Sequence, residues 1–596
     1  MSKVLLRNEI DEKYKWAIDS IYNSIDLWED DFKKLKEEAP KLENFKGSLK
    51  DGSKLLEFLE EYEKVSRSFL KLFLYAHLKS DEDTTVSANQ ALKNRIDAYD
   101  SEFNGIIAFF VPEVLTFDKG HLDSLYEQVP KLKEYKIYLQ RVFDQKPYTL
   151  NEQEEKILAQ VADCLNSPSN CFYMLTNADM EFPEIIDEEN KKVQLTESNY
   201  SVFIKSKDKS VREQAFKALF NTYIKYKNTL GTMLSSSMKN CVFEAKVRHY
   251  DSALQSKLKP HNIPESVYDN LISMVNKNLS SLHRYVRLKK KILNLDEIHM
   301  YDLYVPLFEN SFDHIEFEEG LKIIKEGLTP LGEEYLSILD KGINERWIDV
   351  FSNKGKKGGA YSWSTYDTKP FILANFNYQY NDVSTIAHEL GHSIHSYYSN
   401  STQPFFYSDY ALFCAEVASI TNECLLVNHL INKETDKSKK LYLLNQQLEN
   451  IRTTFFRQTL FAEFEKITHE KIEQGEALTC EDYSSIYYEL NKKYYGDEII
   501  SDEEIAIEWA RIPHFYRDFY VYQYATGFAA ANSFATSILA KKENARDKYI
   551  GFLKSGCIAD PIEILKTAGV DITSPKPIDD TIAVFNSLLD MLEKEI

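Results

Sequence analysis

Three stretches of this chain hold apolar residues at three- and four-residue spacing for most of thirty residues each. They are DEKYKWAIDSIYNSIDLWEDDFKKLKEE (11–38), SKLLEFLEEYEKVSRSFLKLFLYAHLKS (53–80) and ESVYDNLISMVNKNLSSLHRYVRLKKKILN (265–294). That spacing is the period of an α-helix with one buried face. Only 19 glycines and 16 prolines interrupt 596 residues, so long helices are expected over most of the chain. No fixed-period repeat occurs, which disfavours a solenoid. A chain this long exceeds one compact core, and two or more lobes are expected. The polar–apolar alternation of FPEIIDEENKKVQLTESNY (182–200) predicts a small hairpin and a lobe boundary near 190–205. The expected division is an N-terminal helical lobe over 1–200 and a second domain over 201–596.

Hydrophobic residues make up 43%, enough for well-buried cores. The formal charge of -21 makes the chain a poor ligand for phosphate backbones and anionic bilayers, so neither nucleic acid nor membrane is an expected partner. The start, MSKVLLRNEIDEKYKW, lacks the apolar core of a signal peptide. No uncharged apolar run reaches about 18 residues, so no membrane span is expected. The seven cysteines are scattered without a CxxC pair, which predicts reduced thiols, a cytoplasmic setting and no four-thiolate zinc site. Each is expected to be a small buried residue.

The region GGAYSWSTYDTKPFILANFNY (358–378) is aromatic and β-branched, with Pro370 inside it. It reads as edge strands and a turn. It lies just before STIAHELGHSIHSYY (384–398), where HELGH fits H-E-x-x-H. Four helical residues turn about 400°, so His388 and His392 share one face and can share one zinc ion. Glu389 lies about 100° round from His388, placed to take a proton from a water held by the ion. Asp382 and Ser384 are the candidate N-caps.

A catalytic zinc usually has three protein ligands. His395 lies near the same face, but three ligands along one straight helix do not easily surround a tetrahedral ion. Glu416, in SDYALFCAEVASITNECLLVNHLI (408–431), is the better candidate. It sits among small and apolar residues, where an unpaired carboxylate would be costly. Glu423, seven residues further on the same face, could accept a hydrogen bond from a ligand histidine. His395 is left a supporting or packing role. HEKIE (469–473) has His469 and Glu470 but no second histidine, and reads as a solvated helix.

HELGHSIH followed by AEVASITNE resembles the thimet-oligopeptidase-like zinc metallopeptidases. GKKGGAYSWSTYDTKPFILANF, RIPHFYRDFYVYQYATGFAAA (511–531), VRHYDSAL (247–254) and MYDLYVPL (300–307) are similar to their oligoendopeptidase F branch, and the likeness is dense over about 200–596. The resemblance implies a mostly α fold: two helical lobes flanking a deep substrate channel, with a small β-sheet bordering a gluzincin HExxH site. The 1–200 lobe would cover the channel and 201–596 would be the catalytic domain. It implies one Zn2+ per chain on His388, His392 and Glu416, with Glu389 as general base and acid. It further implies short unfolded oligopeptides as substrates.

His514 and the tyrosines near it are implied to contact substrate and the oxyanion. Tyr520 and Tyr524, four apart, are expected on one helical face, with Tyr516 or Tyr522 as replacements for either. Gly358, Gly359, Ala360 and Tyr361 are expected to line the substrate, because glycine permits close approach and an edge strand can pair with an extended peptide. Two other readings stand beside this one. A carboxypeptidase on a similar scaffold would need a cation for the substrate carboxylate, for which Arg511 and Arg517 are available. A peptide-binding protein without catalysis is disfavoured by the intact His388, Glu389 and His392. Oligomeric state is not written in the sequence.

Overall fold

The computed structural model describes residues 5–310, 312 and 314–596, and helices carry most of them, joined by strands of two or three residues. The periodic stretch at 53–80 lies within one helix, Gly52–Glu82, that buries Leu55, Phe58, Leu59, Leu72, Tyr75 and Leu78. Its N-cap Asp51 accepts from the Ser53 and Lys54 amides, answering two of the orphan donors of the first turn. The other two stretches are subdivided. The region 11–38 enters through short 3-10 turns before the helix Ile25–Glu38, and 265–294 is two helices, Glu265–Lys277 and Leu279–Ile292. A one-residue break at Asn278 leaves the apolar spacing almost intact, so periodicity alone does not register it.

Two compact units form, and neither is a single run of chain. One comprises Met1–Lys146, Phe312–His429 and Phe534–Gly569; the other comprises Pro147–Ser311, Leu430–Ser533 and Val570–Ile596. The division expected at 200/201 therefore falls inside the second unit. Two of the five passages between units fall within the helices Leu412–Lys433 and Tyr522–Leu539, where no change of composition marks them.

In the first unit, Trp28, Phe32, Phe58, Leu72, Tyr99 and Phe110 share a core with Phe371 and Leu373. Such aromatic and aliphatic side chains contribute about 1.5–3 kcal/mol each on full burial. Phe371–Leu373 is the middle strand of three. It pairs antiparallel with Tyr361–Trp363 and parallel with Ile348–Asp349. Of the strands expected at 358–378, only Tyr361–Trp363 is thus an edge. Pro370 precedes the middle strand, so its missing N–H costs no ladder bond. The sheet is tied to the N-terminus through buried Asp349, which accepts from Arg7 Nη1 at 2.8 Å and lies 2.7 Å from Lys356 Nζ.

The second unit contains the expected hairpin, Glu184–Ile186 against Lys192–Gln194, and a parallel pair, Ile298–His299 with Ile499–Ile500. Its helices Lys209–Lys225, Lys227–Val247, Arg457–Glu473 and Cys480–Tyr495 bury Tyr223, Met238, Phe464 and Tyr487. Among the described residues, no helix is long and apolar enough to cross a membrane. All seven cysteines are free. Cys241, Cys414, Cys424 and Cys480 are buried as expected, whereas Cys164 and Cys171 are exposed. Cys164 departs from expectation because its helix, Glu152–Leu165, buries none of its residues.

Candidate metal centre

The motif helix runs Tyr380–Thr402. Its N-cap is Gln379, not Asp382 or Ser384; Asp382 sits three residues in and accepts from the Gln379 amide at 2.8 Å and the Asn377 amide at 2.9 Å. One four-residue step stacks His388 and His392, with ring centroids 4.9 Å apart and planes at 80°.

A second helix, Leu412–Lys433, packs directly against the first at Gly391. A Cβ at Gly391 would lie 2.5 Å from Ser419 Cα and 2.9 Å from the Ala418 carbonyl oxygen, so only glycine fits between the two backbones. Buried Asn422 links the helices further: its Nδ2 donates to the Ala387 carbonyl at 3.0 Å and its Oδ1 accepts from the Tyr335 hydroxyl at 2.8 Å. These contacts were not read from the sequence. The available signal is Gly391, a poor helix former in mid-helix, with the small residues Ala418 and Ser419 to receive it.

The close approach brings Glu416 Oε2 to 3.4 Å from His388 Nε2 and 3.7 Å from His392 Nε2. The three donor atoms lie within 4.8 Å of one another. Glu423 Oε1 lies 2.5 Å from His388 Nδ1. That bond fixes the Nδ1 proton towards Glu423, so that when the ring is neutral its lone pair is on Nε2, the nitrogen facing Glu416 and His392. Two imidazole nitrogens and one carboxylate oxygen are the donor set of a catalytic zinc site with one position open, so the residues present fit such an ion.

Charge at the site follows from burial and these neighbours. Desolvation opposes a charge on His388, but the carboxylates of Glu416 and Glu423 outweigh it and raise the imidazole to about 10. Burial lowers His392 to about 4, helped by His388. Glu416, despite desolvation, is held down to about 2 by its bond to His388 and by His392. Glu389 is 7% exposed; burial pushes its carboxyl up to about 7, against the pull of His388 and with Glu416 and Glu423 adding to the rise. A carboxyl poised there can both take and return a proton near neutrality.

His395 points elsewhere. It is 1% exposed and stacks on Tyr410 with centroids 3.7 Å apart, against Phe552 at 5.1 Å. Burial lowers it to about 3.

The edge strand Tyr361–Trp363 is joined to the motif helix by Ser362 Oγ, 2.8 Å from Ser393 Oγ. Gly358 and Gly359 have open space where a side chain would stand, and Gly359 adopts φ +82°, which suits glycine. Ala360 follows them. Tyr361 turns its hydroxyl inward to Asp81 Oδ2 at 2.8 Å, so its side chain is committed to the fold.

In the second unit, the 3-10 helix Pro513–Tyr516 carries His514. Tyr524 OH lies 3.3 Å from His514 Nε2, and the Tyr520 ring lies 6.3 Å from His514 and 5.5 Å from Tyr524. Tyr520 and Tyr524 are not on one helical face, because the helix begins only at Tyr522 and Tyr520 lies ahead of it. They meet through a bend instead. Tyr522 is buried against Tyr268, and Tyr516 stacks on Phe172 at 4.5 Å. Arg511 is paired with Glu197 at 2.7 Å and covers the Tyr200 ring; Arg517 is exposed.

An HExxH helix whose two histidines meet a glutamate from a second helix is the arrangement of zinc metallopeptidases. Residues 202–584 match the family described as Peptidase family M3, and residues 113–182 match Oligopeptidase F. Oligopeptidase PepF of Bacillus subtilis (strain 168) is 44% identical over 589 residues, covering 99% of this chain and 88% of that protein. A chain of known structure from Chlamydophila abortus superposes with a TM-score of 0.95 at 35% identity, covering 100% of both. Oligoendopeptidase-F from Enterococcus faecium gives a TM-score of 0.74 at 36% identity, covering 96% of this chain and 99% of that one. The chain belongs to peptidase family M3, in its oligoendopeptidase F branch. It is accordingly a metalloendopeptidase.

Proposed function

We propose that the chain is a zinc-dependent endopeptidase that hydrolyses internal bonds of short unfolded oligopeptides in the cytoplasm, with one zinc per chain. The observation that carries this is the convergence of His388 Nε2, His392 Nε2 and Glu416 Oε2, with Glu423 on the far nitrogen of His388. When bound, zinc supplies a Lewis acid that brings the pKa of a coordinated water to about 7.

The protein side of the reaction then falls to named groups. Glu389 takes the proton of the attacking water and returns it to the leaving amine, for which a carboxyl near 7 is suited. Glu423 keeps His388 oriented and in one tautomer. The free edge of Tyr361–Trp363 pairs with the extended peptide backbone, and Gly358, Gly359 and Ala360 let that backbone approach. Main-chain pairing reads few side chains and suits broad specificity. His514, with Tyr520 and Tyr524, supplies donors to the substrate and its developing oxyanion. Of the two cations the carboxypeptidase alternative could use, Arg511 is already paired with Glu197 and Arg517 is exposed.

The test is Glu389→Gln assayed on an internally quenched peptide. Activity should fall about a thousandfold with metal content unchanged. Wild-type turnover in that variant would overturn the mechanism, and release of single C-terminal residues instead of internal fragments would favour the carboxypeptidase.

A further inference from the structure

His469, expected on a solvated helix face, is 1% exposed. It lies on the inner side of the helix Arg457–Glu473, with Phe519 packed on its ring at 4.4 Å. Its Nδ1 lies 2.8 Å from the Glu465 carbonyl one turn back and donates to it. In a neutral ring that leaves Nε2 as a bare lone pair, and this atom is buried with no hydrogen-bond partner. A buried ring nitrogen without a hydrogen bond costs about 1–3 kcal/mol, and the charged group set against this one is Asp518 Oδ1 at 3.4 Å.

Two further donors face the same point. Cys241, on the helix Lys227–Val247, is 2% exposed. Asp518 stands in the bend after Pro513–Tyr516; its Oδ1 is also buried without a hydrogen bond, 3.4 Å from His469 Nε2. Its other oxygen faces Lys257 Nζ at 3.5 Å. The Cys241, His469 and Asp518 donor atoms all lie within 4.8 Å of one another. The backbone is bent to present Asp518. It and Phe519 both take positive φ, +29° and +56°. Two consecutive non-glycine residues in this region cost about 1–3 kcal/mol each and persist only where the surroundings impose them. Phe519 N–H donates to buried Glu465 Oε1 at 2.9 Å, which holds the bend.

We propose that Cys241, His469 and Asp518 form a second, buried metal site in this protein, separate from the peptidase centre and taking zinc or a similar divalent d-block cation. Thiolate, imidazole and carboxylate together suit such an ion and not calcium or magnesium. Bonds of about 2.0–2.3 Å would require the donor atoms to draw in by about 1 Å at most. The His469 arrangement, with Nδ1–H on a backbone carbonyl and Nε2 free, is the one metal-ligating histidines adopt. The Cys241 thiol releases its proton to solvent as the ion binds, and thiolate and carboxylate offset the ion's two charges, leaving the Lys257 ammonium beside Asp518 as one surplus positive charge. The ion would clamp two helices to the bend between His514 and Tyr520. Its role is structural: it fixes the segment that carries those two residues.

The test uses the full chain loaded with Co2+, then freed of excess metal. A thiolate-to-cobalt charge-transfer band in the near ultraviolet is diagnostic, because His388, His392 and Glu416 include no sulfur. Wild type should show the band and hold two metal ions per chain. His388→Ala should keep the band and hold one ion, while Cys241→Ser should lose the band and also hold one. His469→Gln provides a second variant if Cys241→Ser folds poorly. A wild-type chain with one ion and no thiolate band would overturn the proposal, leaving Lys257–Asp518 as a plain ion pair beside a protonated thiol. Two ions in wild type, the band present, and no loss of metal in His388→Ala would instead count against the peptidase centre.

Discussion

Glu423 and His388, 35 residues apart in sequence, are joined by a 2.5 Å contact between a carboxylate oxygen and Nδ1. This contact decides which histidine nitrogen is available to a metal. Glu423→Ala should weaken zinc affinity roughly 10- to 100-fold, as loss of such partners does elsewhere. Competition against a chromogenic chelator measures it, and an unchanged affinity would remove Glu423 from the site.

The same pair sets a proton count. Without metal, the His388 imidazole is raised to about 10 and is charged at pH 8. Zinc takes the neutral ring, so binding at that pH should release one proton from His388 and most of a second from the coordinated water, and affinity should rise with pH. Calorimetric titration in buffers of different ionisation enthalpy gives the number directly. Release of one proton or fewer would mean that His388 is already neutral.

Glu416→Ala should abolish stoichiometric zinc, whereas His395→Ala should retain it. Metal analysis of both variants separates the two candidates for third ligand. Loss of zinc in the His395 variant alone would reverse the assignment.

Gly391→Ala tests the helix contact. A methyl 2.5 Å from Ser419 Cα has nowhere to go without parting the backbones. Destabilisation of about 1–3 kcal/mol is expected, with weaker zinc binding because Glu416 moves away from the histidines. Denaturant unfolding and metal affinity measured on one preparation check both.

His395 predicts acid lability. Its folded-state value of about 3 lies below the ordinary 6.5. The unfolded chain therefore binds the proton more readily between those values. Stability from this group is complete above pH 6.5 and is lost as pH falls towards 3. Between pH 7 and pH 5 the loss is about 2 kcal/mol. His395→Phe, which keeps a ring against Tyr410, should lose less stability over that interval than wild type.

The helical class, the hairpin near 190 and the convergence of His388, His392 and Glu416 were legible because each rests on local spacing or on a short motif. His388 and His392 are set by four residues of one helix. Glu416 could be picked out because a carboxylate among small apolar residues needs a reason. What the sequence hid was non-local. The strand Ile348–Asp349 is two residues long and has no pattern to detect. The break at Asn278 shifts the helical phase too little to show. His469 looked solvated because its neighbours Glu470, Lys471 and Glu473 are charged; only the partner elements reveal that its own side of the helix is covered. The bend that unites Tyr520 with Tyr524 depends on two positive φ values, which no residue type at 518 or 519 announces.

The interleaving of the two units has a consequence for synthesis. The helices of the first 146 residues share their core with Phe371 and Leu373, and His395 rests on Phe552. A ribosome adding about 5–20 residues per second makes Phe552 tens of seconds after residue 146. Until residue 373 is made, the core of the first 146 residues lacks Phe371 and Leu373, and until residue 552 is made His395 lacks the ring of Phe552. A nascent chain of 540 residues would already contain His388, His392, Glu416 and Glu423, yet would lack Phe552, on which His395 rests.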